Sequence, residues 1–308
     1  MPDFTYLLDK FEAAEIPNDP FPHVYIDNLL SEADFAAVVQ SPDVTLPQAA
    51  NVDAMFSSLD AASYQPIEFP GCTKSRQEYV QWLETAVKPK NTHAACEGKG
   101  MALRCATPQS DAVRSLDAFF QSPEWSELLI AKFGVSAPTV LDCGLQKYLN
   151  GYEISPHPDI RQKALTWMLN VNPGQSDDAD YHTHYMTLKP EWSFVADFWR
   201  DNPDAETCWI PWAWCDTQKR QTANNSIVIF SPRHDTLHAV RAHYDHLPAQ
   251  RTQFYGNLWY KPAPLTFRPQ FQDFAGGSAP VLSRSGGYVL KSATSRIRSR
   301  LMGWAPAR

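Results

Sequence analysis

The sequence predicts an α+β, mainly β fold, in which a jelly-roll (double-stranded β-helix) core has a helical N-terminal region packed on it. Three observations predict this class. Apolar residues recur at helical spacing through 1–137, and short runs of β-branched and aromatic residues fill 138–262. No helical repeats separate these runs, as a parallel sheet would require. We therefore expect a single domain over 1–308, with a loop-rich tail at 263–308.

The N-terminal region starts with a predicted helix, because four apolar residues recur at helical spacing: Phe4, Leu7, Leu8 and Phe11. The stretch 20–40 predicts a strand, a turn and a helix that Ser31 can cap. The segment 41–72 is rich in Pro, Ala, Ser and Asp, which favours loop. Further helical patterns cover 75–87, 109–121 and 123–133.

The β-rich region contains six strand-like runs, separated by turn-like clusters: "TVLDCGLQKYL", "ALTWMLNVN", "CWIPWAWC", "NSIVIFSP", "HAVRAHY" and "TQFYGNLWYK". The stretch 181–206 is too long for a hairpin and includes a short helical pattern. We interpret it as an insert or lid over the mouth of the barrel. The arginines of the tail, in "TSRIRSRLMGW", favour a solvated face over a binding site.

Composition narrows the function classes. A formal net charge of −7 argues against a nucleic-acid-binding surface, which needs a dense basic footprint, and favours a small-molecule substrate. We expect no membrane association and a cytoplasmic protein, because no signal-peptide pattern and no long apolar run occurs. The six cysteines form no CxxC pair and are expected to be reduced and structural. The sequence defines no oligomeric state.

Two His-X-Asp pairs occur, and such a pair can supply two metal ligands from one turn. His157 and Asp159 precede an apolar run, and His238 follows at the end of a later strand-like run. Two His and one carboxylate on one face of a metal form the site of non-haem iron oxygenases. The second pair, His243 and Asp245, has no distant histidine downstream.

A third combination, His182 with His184, could bind metal in a cupin-like site. No Glu stands four or five residues after it, so a simple surface loop is the favoured interpretation.

The motifs resemble a known family. "GLQKYLNGYEISPHPDIRQKALTWMLNVNPG", "NNSIVIFSPRHDTLHAV" and "RTQFYGNLWY", in this order, are similar to iron(II)- and 2-oxoglutarate-dependent oxygenases of the prolyl-4-hydroxylase-like branch. The early "PFPHVYIDNLLSEADF" resembles the entry to the same fold. The resemblance covers about 20–40 and 138–262, and the ordered combination is more specific than any one piece.

The resemblance implies a set of site residues. Iron(II) would be bound by His157, Asp159 and His238, with no catalytic residue beyond this triad. The cosubstrate 2-oxoglutarate would be bound by four further residues: Arg251, which would hold the distal carboxylate, and Tyr148, Thr166 and Asn170. Dioxygen would be the third component.

The chain departs from the family pattern at two of these positions. Arg251 lies somewhat further from the distal His than is usual, and Asn170 stands where several relatives have Tyr. Arg241 is a competing basic residue, but its place beside a metal ligand makes it a poorer anchor for a carboxylate.

The activity that the resemblance implies is oxidation of an unactivated C–H bond of a small, amino-acid-like or anionic metabolite, most often by hydroxylation. Oxidative ring closure or desaturation in natural-product biosynthesis, as in kainoid synthesis, and peptidyl-prolyl hydroxylation use the same cofactor chemistry. The presence of Asp159 disfavours halogenation. The alternative of another class is a non-redox jelly-roll or cupin binding protein.

Two groups of residues near the motifs have both a functional and a purely structural interpretation. Four polar residues favour an anionic substrate, although solvated strand ends explain each one more simply: Arg161, Lys163, Arg233 and His243. Three tryptophans, Trp209, Trp212 and Trp214, are better explained by a packed barrel wall than by a substrate cage.

Overall fold

The computed structural model describes residues 2–67, 73, 75–85, 100–136, 138–174, 180–205, 207–261 and 271–273. All of them fall within one compact unit, Met1–Phe274. Within these ranges no helix is long and apolar enough to cross a lipid bilayer. Apart from 271–273, the predicted tail at 263–308 lies outside the described residues, as do Cys72 and Cys96.

The described residues contain seven α-helices: α1 (Tyr6–Ala13), α2 (Glu32–Val39), α3 (Val52–Ala61), α4 (Arg76–Glu84), α5 (Asp111–Phe120), α6 (Pro123–Phe133) and α7 (Phe194–Asp201). They also contain thirteen strands: β1 (His23–Ile26), β2 (Tyr64–Pro66), β3 (Ala102–Cys105), β4 (Thr139–Tyr148), β5 (Glu153–His157), β6 (Lys163–Asn170), β7 (Thr183–Leu188), β8 (Thr207–Trp209), β9 (Cys215–Gln221), β10 (Ile227–Phe230), β11 (Leu237–Arg241), β12 (Arg251–Tyr260) and β13 (Phe271–Asp273).

Side-chain caps define most helix starts. Five helices begin after a residue whose side chain accepts a hydrogen bond from the backbone N–H three positions later: Ser31, Asn51, Ser75, Ser110 and Ser122. The four helical patterns predicted in 1–137 outside the entry segment correspond to α1, α4, α5 and α6.

The segment 41–72 differs from its prediction as loop, because it contains α3 and β2. Asn51 caps α3, and Met55, Phe56 and Leu59 are buried along one side of it. A prediction from composition alone does not detect this apolar face of α3.

Two antiparallel sheets form the centre of the fold. The larger has seven strands in the order β1-β10-β6-β12-β4-β3-β2, and the smaller has four in the order β5-β11-β7-β9. β8 and β13 form a separate parallel pair. Between β4 and β7 successive strands alternate between the two sheets, and the same holds from β9 to β12.

The stretch 181–206 is not wholly an insert. Its first half forms β7, which lies between β11 and β9 in the four-stranded sheet. The helical pattern that follows corresponds to α7.

The seven-stranded sheet has an apolar and a polar face. On the apolar face Phe254 and Trp167 pack against α5 and α6, with ring centroids 5.6 Å from Phe120 and 5.7 Å from Trp125 respectively. Alternate residues of β12 point to the opposite side, and these are polar: Arg251, Gln253, Tyr255 and Asn257. The polar face therefore borders the cavity described below.

Candidate metal centre and its cavity

Two histidines meet through the pairing of neighbouring strands. His157 ends β5, His238 lies in β11, and the two are direct partners in the antiparallel register. Directly opposed residues of such a pair have neighbouring side chains, and the ring centroids are 4.3 Å apart. Both residues are buried, with 6% and 7% of their surface exposed.

Backbone carbonyls fix the tautomer of both rings. His157 Nδ1 lies 2.8 Å from the carbonyl oxygen of Ser155, and His238 Nδ1 lies 3.3 Å from that of Thr236. Because a carbonyl only accepts, Nδ1 carries the proton and Nε2 presents its lone pair. Such outer hydrogen bonds are typical of metal-binding histidines.

Asp159 completes the group from the turn after β5. Its backbone is in the left-handed region, with φ 49°, which is unusual for a residue other than glycine and is common at functional sites. Asp159 Oδ1 lies 3.7 Å from His157 Nε2, and Oδ2 lies 3.9 Å from His238 Nε2. The turn therefore places the carboxylate between the two imidazoles.

Two donors hold the carboxylate of Asp159. Lys163 Nζ lies 2.6 Å from Oδ1, and Thr166 Oγ1 donates to Oδ2 at 2.8 Å. Tyr255 in turn accepts a hydrogen bond from Lys163 at 2.9 Å. Adjacent strands β6 and β12 thus orient the carboxylate from the larger sheet.

The electrostatics favour an ionised carboxylate beside neutral imidazole. Burial alone would raise the pKa of Asp159, but Lys163 and the two histidines hold it well below its usual value. Burial, reinforced by His157, lowers the pKa of His238 to about 3. Both groups are therefore in the protonation state that metal binding requires at neutral pH.

This donor set fits a divalent first-row metal. Among the described residues, His157, Asp159 and His238 are the one group of three potential ligands whose donor atoms all lie within 4.8 Å of one another. Two imidazole nitrogens and one carboxylate are the ligands typical of non-haem iron sites.

Arg251 lies in the same cavity at the start of β12. Its Nη2 donates to Thr183 Oγ1 at 2.9 Å, and its guanidinium carbon lies 4.6 Å from the centre of the Tyr148 ring. Only 3% of the residue is exposed. Within the described part of the chain no carboxylate pairs with it. A buried guanidinium without a counter-ion is suited to bind an anionic ligand.

The cavity has a volume of about 330 Å³ and contacts both the candidate metal ligands and the guanidinium of Arg251. Its lining includes the three candidate ligands, Arg251, Tyr148 and Lys163. Aromatic and aliphatic side chains form most of the remaining wall: Tyr152, Ile154, Trp209, Val240, Tyr255 and Trp259. A largely apolar cavity with a few converging polar groups is typical of a small-molecule site.

Thr166 and Asn170 form hydrogen bonds with other protein groups, and their contact with the cosubstrate stays a prediction. The hydroxyl of Thr166 binds Asp159. Asn170 donates to the carbonyls of Gln221 and Ala223 and accepts from Gln253. These bonds occupy its amide, so Asn170 links strands and does not line the cavity.

Of the four residues that suggested an anionic substrate, Lys163 lines the cavity. Arg161 donates to three backbone carbonyls around α7, Arg233 pairs with Asp235 at the surface, and His243 is exposed.

The competing basic and histidine candidates have other partners. Arg241 is ion-paired with Glu153 at 2.7 Å, which agrees with its interpretation as the poorer anchor for a carboxylate. His184 Nδ1 lies 2.9 Å from Thr217 Oγ1, and neither His182 nor His184 belongs to the three-ligand group.

Sequence reasoning missed two contributors to the site. Trp209 was expected to be wall, yet its ring centroid lies 4.9 Å from that of His157 and it lines the cavity. Tyr255 also lines the cavity, and the polar alternation along β12 is the sequence signal that indicates it. The four described cysteines are free, as expected for structural thiols: Cys105, Cys143, Cys208 and Cys215.

No family model matches the sequence, and no curated protein matches it. Solved structures do resemble the fold. A prolyl-4-hydroxylase of Pseudomonas putida is 10% identical, with 83% of this chain and 98% of that chain covered and a TM-score of 0.41. A Trichoplax adhaerens prolyl hydroxylase, solved with a peptide fragment of hypoxia inducible factor, is 12% identical over 83% and 92%, also at 0.41.

A third neighbour is SnoN, a non-heme alpha-ketoglutarate-dependent epimerase of nogalamycin biosynthesis. It is 14% identical over 88% of this chain and 92% of that chain, with a TM-score of 0.40. At such identities and TM-scores, none of the three neighbours assigns a function to this chain.

Proposed function

We propose that this protein is an iron(II)- and 2-oxoglutarate-dependent oxygenase that oxidises a C–H bond of a small metabolite. The observation that carries the proposal is the buried group His157, Asp159 and His238, which shares one cavity with Arg251, a buried cation that has no carboxylate partner among the described residues. The three-residue group offers metal ligands, and Arg251 offers an anchor for a carboxylate. A cosubstrate that chelates a metal and ends in a distal carboxylate matches this pair.

We also propose that the two sheets form a double-stranded β-helix. The order β4-β12-β6-β10 would face the order β5-β11-β7-β9, so that eight strands are shared equally between the sheets. In this arrangement the metal ligands come from the smaller sheet and its following turn, and Arg251 comes from the larger one.

The bound iron would supply dioxygen activation coupled to oxidation of 2-oxoglutarate to succinate and carbon dioxide. The protein's own residues prepare that site. The carbonyls of Ser155 and Thr236 direct Nε2 of both histidines towards the metal position. Thr166 fixes the carboxylate of Asp159, and Arg251 with Tyr148 and Thr183 would orient the distal end of the cosubstrate.

Hydroxylation is the outcome we propose, with a small amino-acid-like or anionic substrate. The volume of about 330 Å³ and the largely apolar lining of the cavity support a free small molecule over a protein substrate.

The test is anaerobic visible spectroscopy with iron(II) and 2-oxoglutarate, followed by measurement of succinate release in air. We expect a weak charge-transfer band in the wild type and its loss in Asp159→Ala. A folded wild-type protein that gives neither a band nor iron-dependent succinate would favour the non-redox binding protein.

A further inference from the structure

Lys163 is a buried cation that a three-ligand iron site does not require. Its side chain is 7% exposed, and its ammonium contacts Asp159 Oδ1 at 2.6 Å and the Tyr255 hydroxyl at 2.9 Å. It also lines the cavity, together with Trp259, whose ring centre is 5.7 Å from Nζ. A buried charge needs compensation, and Asp159 supplies it in the metal-free protein.

Metal binding removes much of that compensation. A divalent ion held by Asp159 places two further positive charges beside the ammonium, and like charges at such distances in a buried site repel strongly. Among the described cavity-lining residues the remaining carboxylate is that of Asp142, which Arg104 holds at 2.5 Å. The described part of the chain therefore offers Lys163 no second carboxylate partner.

The cosubstrate does not balance the charge either. Its distal carboxylate would neutralise Arg251, and the other would lie on the metal. Metal and Lys163 together then exceed Asp159 and that second carboxylate by one positive charge. The cavity of the loaded site is thus matched to a substrate with one negative charge.

Lys163 and Arg251 belong to different parts of the cavity. In the sheet Lys163 pairs with Trp259, near one end of β12, and Arg251 pairs with Tyr148 at the other end. Lys163 Nζ contacts the hydroxyl of Tyr255, whose backbone lies four residues and about 13 Å along the strand from that of Arg251. An anion at Lys163 would therefore not occupy the anchor at Arg251.

We propose that Lys163 is the anchor for a carboxylate of the substrate, and that Asp159 masks this anchor until a divalent metal binds. The inference rests on the proposed function, because it assumes a metal at the three-ligand group and 2-oxoglutarate at Arg251. It narrows the substrate class to small monoanionic carboxylates. Their carboxylate, held at Lys163, would place the carbon chain against Trp259, Trp209 and the metal position.

The experiment is calorimetric titration of butyrate, a plain monocarboxylate, into three states of the protein: metal-free, Mn(II)-loaded, and Mn(II)-loaded with saturating 2-oxoglutarate. Butyramide, its uncharged analogue, is the matched ligand control. We expect butyrate to bind the third state at least about tenfold more tightly than the metal-free state, because the metal then unmasks Lys163 while 2-oxoglutarate occupies Arg251. Butyramide should bind none of the three states.

Lys163→Met should abolish butyrate binding while 2-oxoglutarate still binds the Mn(II)-loaded variant. It should also bind Mn(II) at least about tenfold more tightly than the wild type, because the competing charge is gone. Lys163→Gln serves the same purpose if the methionine variant does not fold, and exposed Lys261→Met is the control.

Equal binding of butyrate with and without metal, no butyrate binding to the loaded wild type, or unchanged butyrate binding in Lys163→Met would overturn the inference alone. Failure of the wild type to bind Mn(II) or 2-oxoglutarate would overturn the proposed function, and the inference with it.

Discussion

Lys163 and Asp159 form an ion pair in which both partners are buried. Nζ and Oδ1 are 2.6 Å apart, and the two side chains are 7% and 3% exposed, respectively. The two residues are four positions apart, across the turn in which Asp159 has positive φ. Breaking a buried pair by removing one partner is more costly than the pair is stabilising, because the remaining charge is left uncompensated.

Asp159→Asn should therefore have two effects. It removes an anionic ligand, so we expect loss of Mn(II) binding by calorimetry. It also leaves the Lys163 ammonium buried without a counter-ion, which should lower the free energy of unfolding of the metal-free protein by about 3 kcal/mol. Urea denaturation measures the second effect.

The matched control is the double variant Asp159→Asn, Lys163→Met. It removes both charges, so most of the lost stability should return while metal binding stays absent. Two single variants whose costs simply add in the double variant would contradict the coupling between the residues.

Arg251→Met tests the carboxylate anchor. The buried guanidinium contacts Thr183 and the Tyr148 ring and has no carboxylate partner among the described residues. We expect the affinity for 2-oxoglutarate to fall at least about thirtyfold, equivalent to about 2 kcal/mol, because a buried charged hydrogen bond is lost. The iron(II) charge-transfer titration measures this affinity.

Arg233→Met is the control for that variant, since Arg233 is exposed and pairs with Asp235 outside the cavity. Affinity for Mn(II) alone should stay unchanged in both variants. A normal 2-oxoglutarate affinity in Arg251→Met would place the anchor elsewhere.

The grouping of His157, Asp159 and His238 could be predicted from the sequence, because local spacing and strand ends define it; its metal-binding role stays a prediction. His157 and Asp159 are two residues apart at the end of an apolar strand, and His238 lies in another strand-like run. Their convergence needs only that β5 and β11 pair, which the structure shows. The anchor role of Arg251 stays a prediction, now with a buried position beside the cavity.

The partners of a strand residue depend on long-range strand register, which a local sequence pattern does not define. Lys163 was expected at a solvated strand end, yet the turn after β5 and the pairing of β6 with β12 place it between Asp159 and Tyr255. Asn170 is on the same strand, but its amide hydrogen-bonds to the end of β9 and to Gln253 on β12. Which polar residue of a strand reaches the cavity depends on these partners.

Asn170→Ala separates a structural role from a cosubstrate contact. The variant leaves the carbonyls of Gln221 and Ala223 and the amide of Gln253 without their buried partner. We expect the free energy of unfolding to fall by about 2 kcal/mol, with 2-oxoglutarate affinity within about twofold of wild type. A large loss of affinity in a stable variant would restore the expected cosubstrate contact.

Gly256→Ala tests the packing of the larger sheet. A Cβ at Gly256 would lie 2.2 Å from the Trp167 ring and 2.8 Å from the Cβ of Cys143. Trp167 is fully buried against Trp125 and cannot move without a cavity or strain elsewhere. We expect a loss of about 3 kcal/mol in the free energy of unfolding.

Gly134→Ala is the comparison for the packing test. Gly134 has φ 63° and nothing within 4 Å of an added Cβ. Strain alone should cost about 1 kcal/mol there. Equal effects of the two alanine variants would contradict the steric explanation.

Lys147 should make stability depend on pH. It is fully buried on the apolar side of β4, donating to the Val44 carbonyl and to Thr252 Oγ1, and burial lowers its pKa from 10.5 to about 7. Between about pH 7 and 8 the unfolded chain thus binds more protons, so the free energy of unfolding should rise with pH, by at most about 1.4 kcal/mol per unit. At higher pH the buried thiols, whose pKa burial raises, act in the opposite direction. Urea denaturation across the range in which stability rises should show the slope in the wild type and in Lys261→Met, and its loss in Lys147→Met. A slope that survives in Lys147→Met would assign the titration to another group.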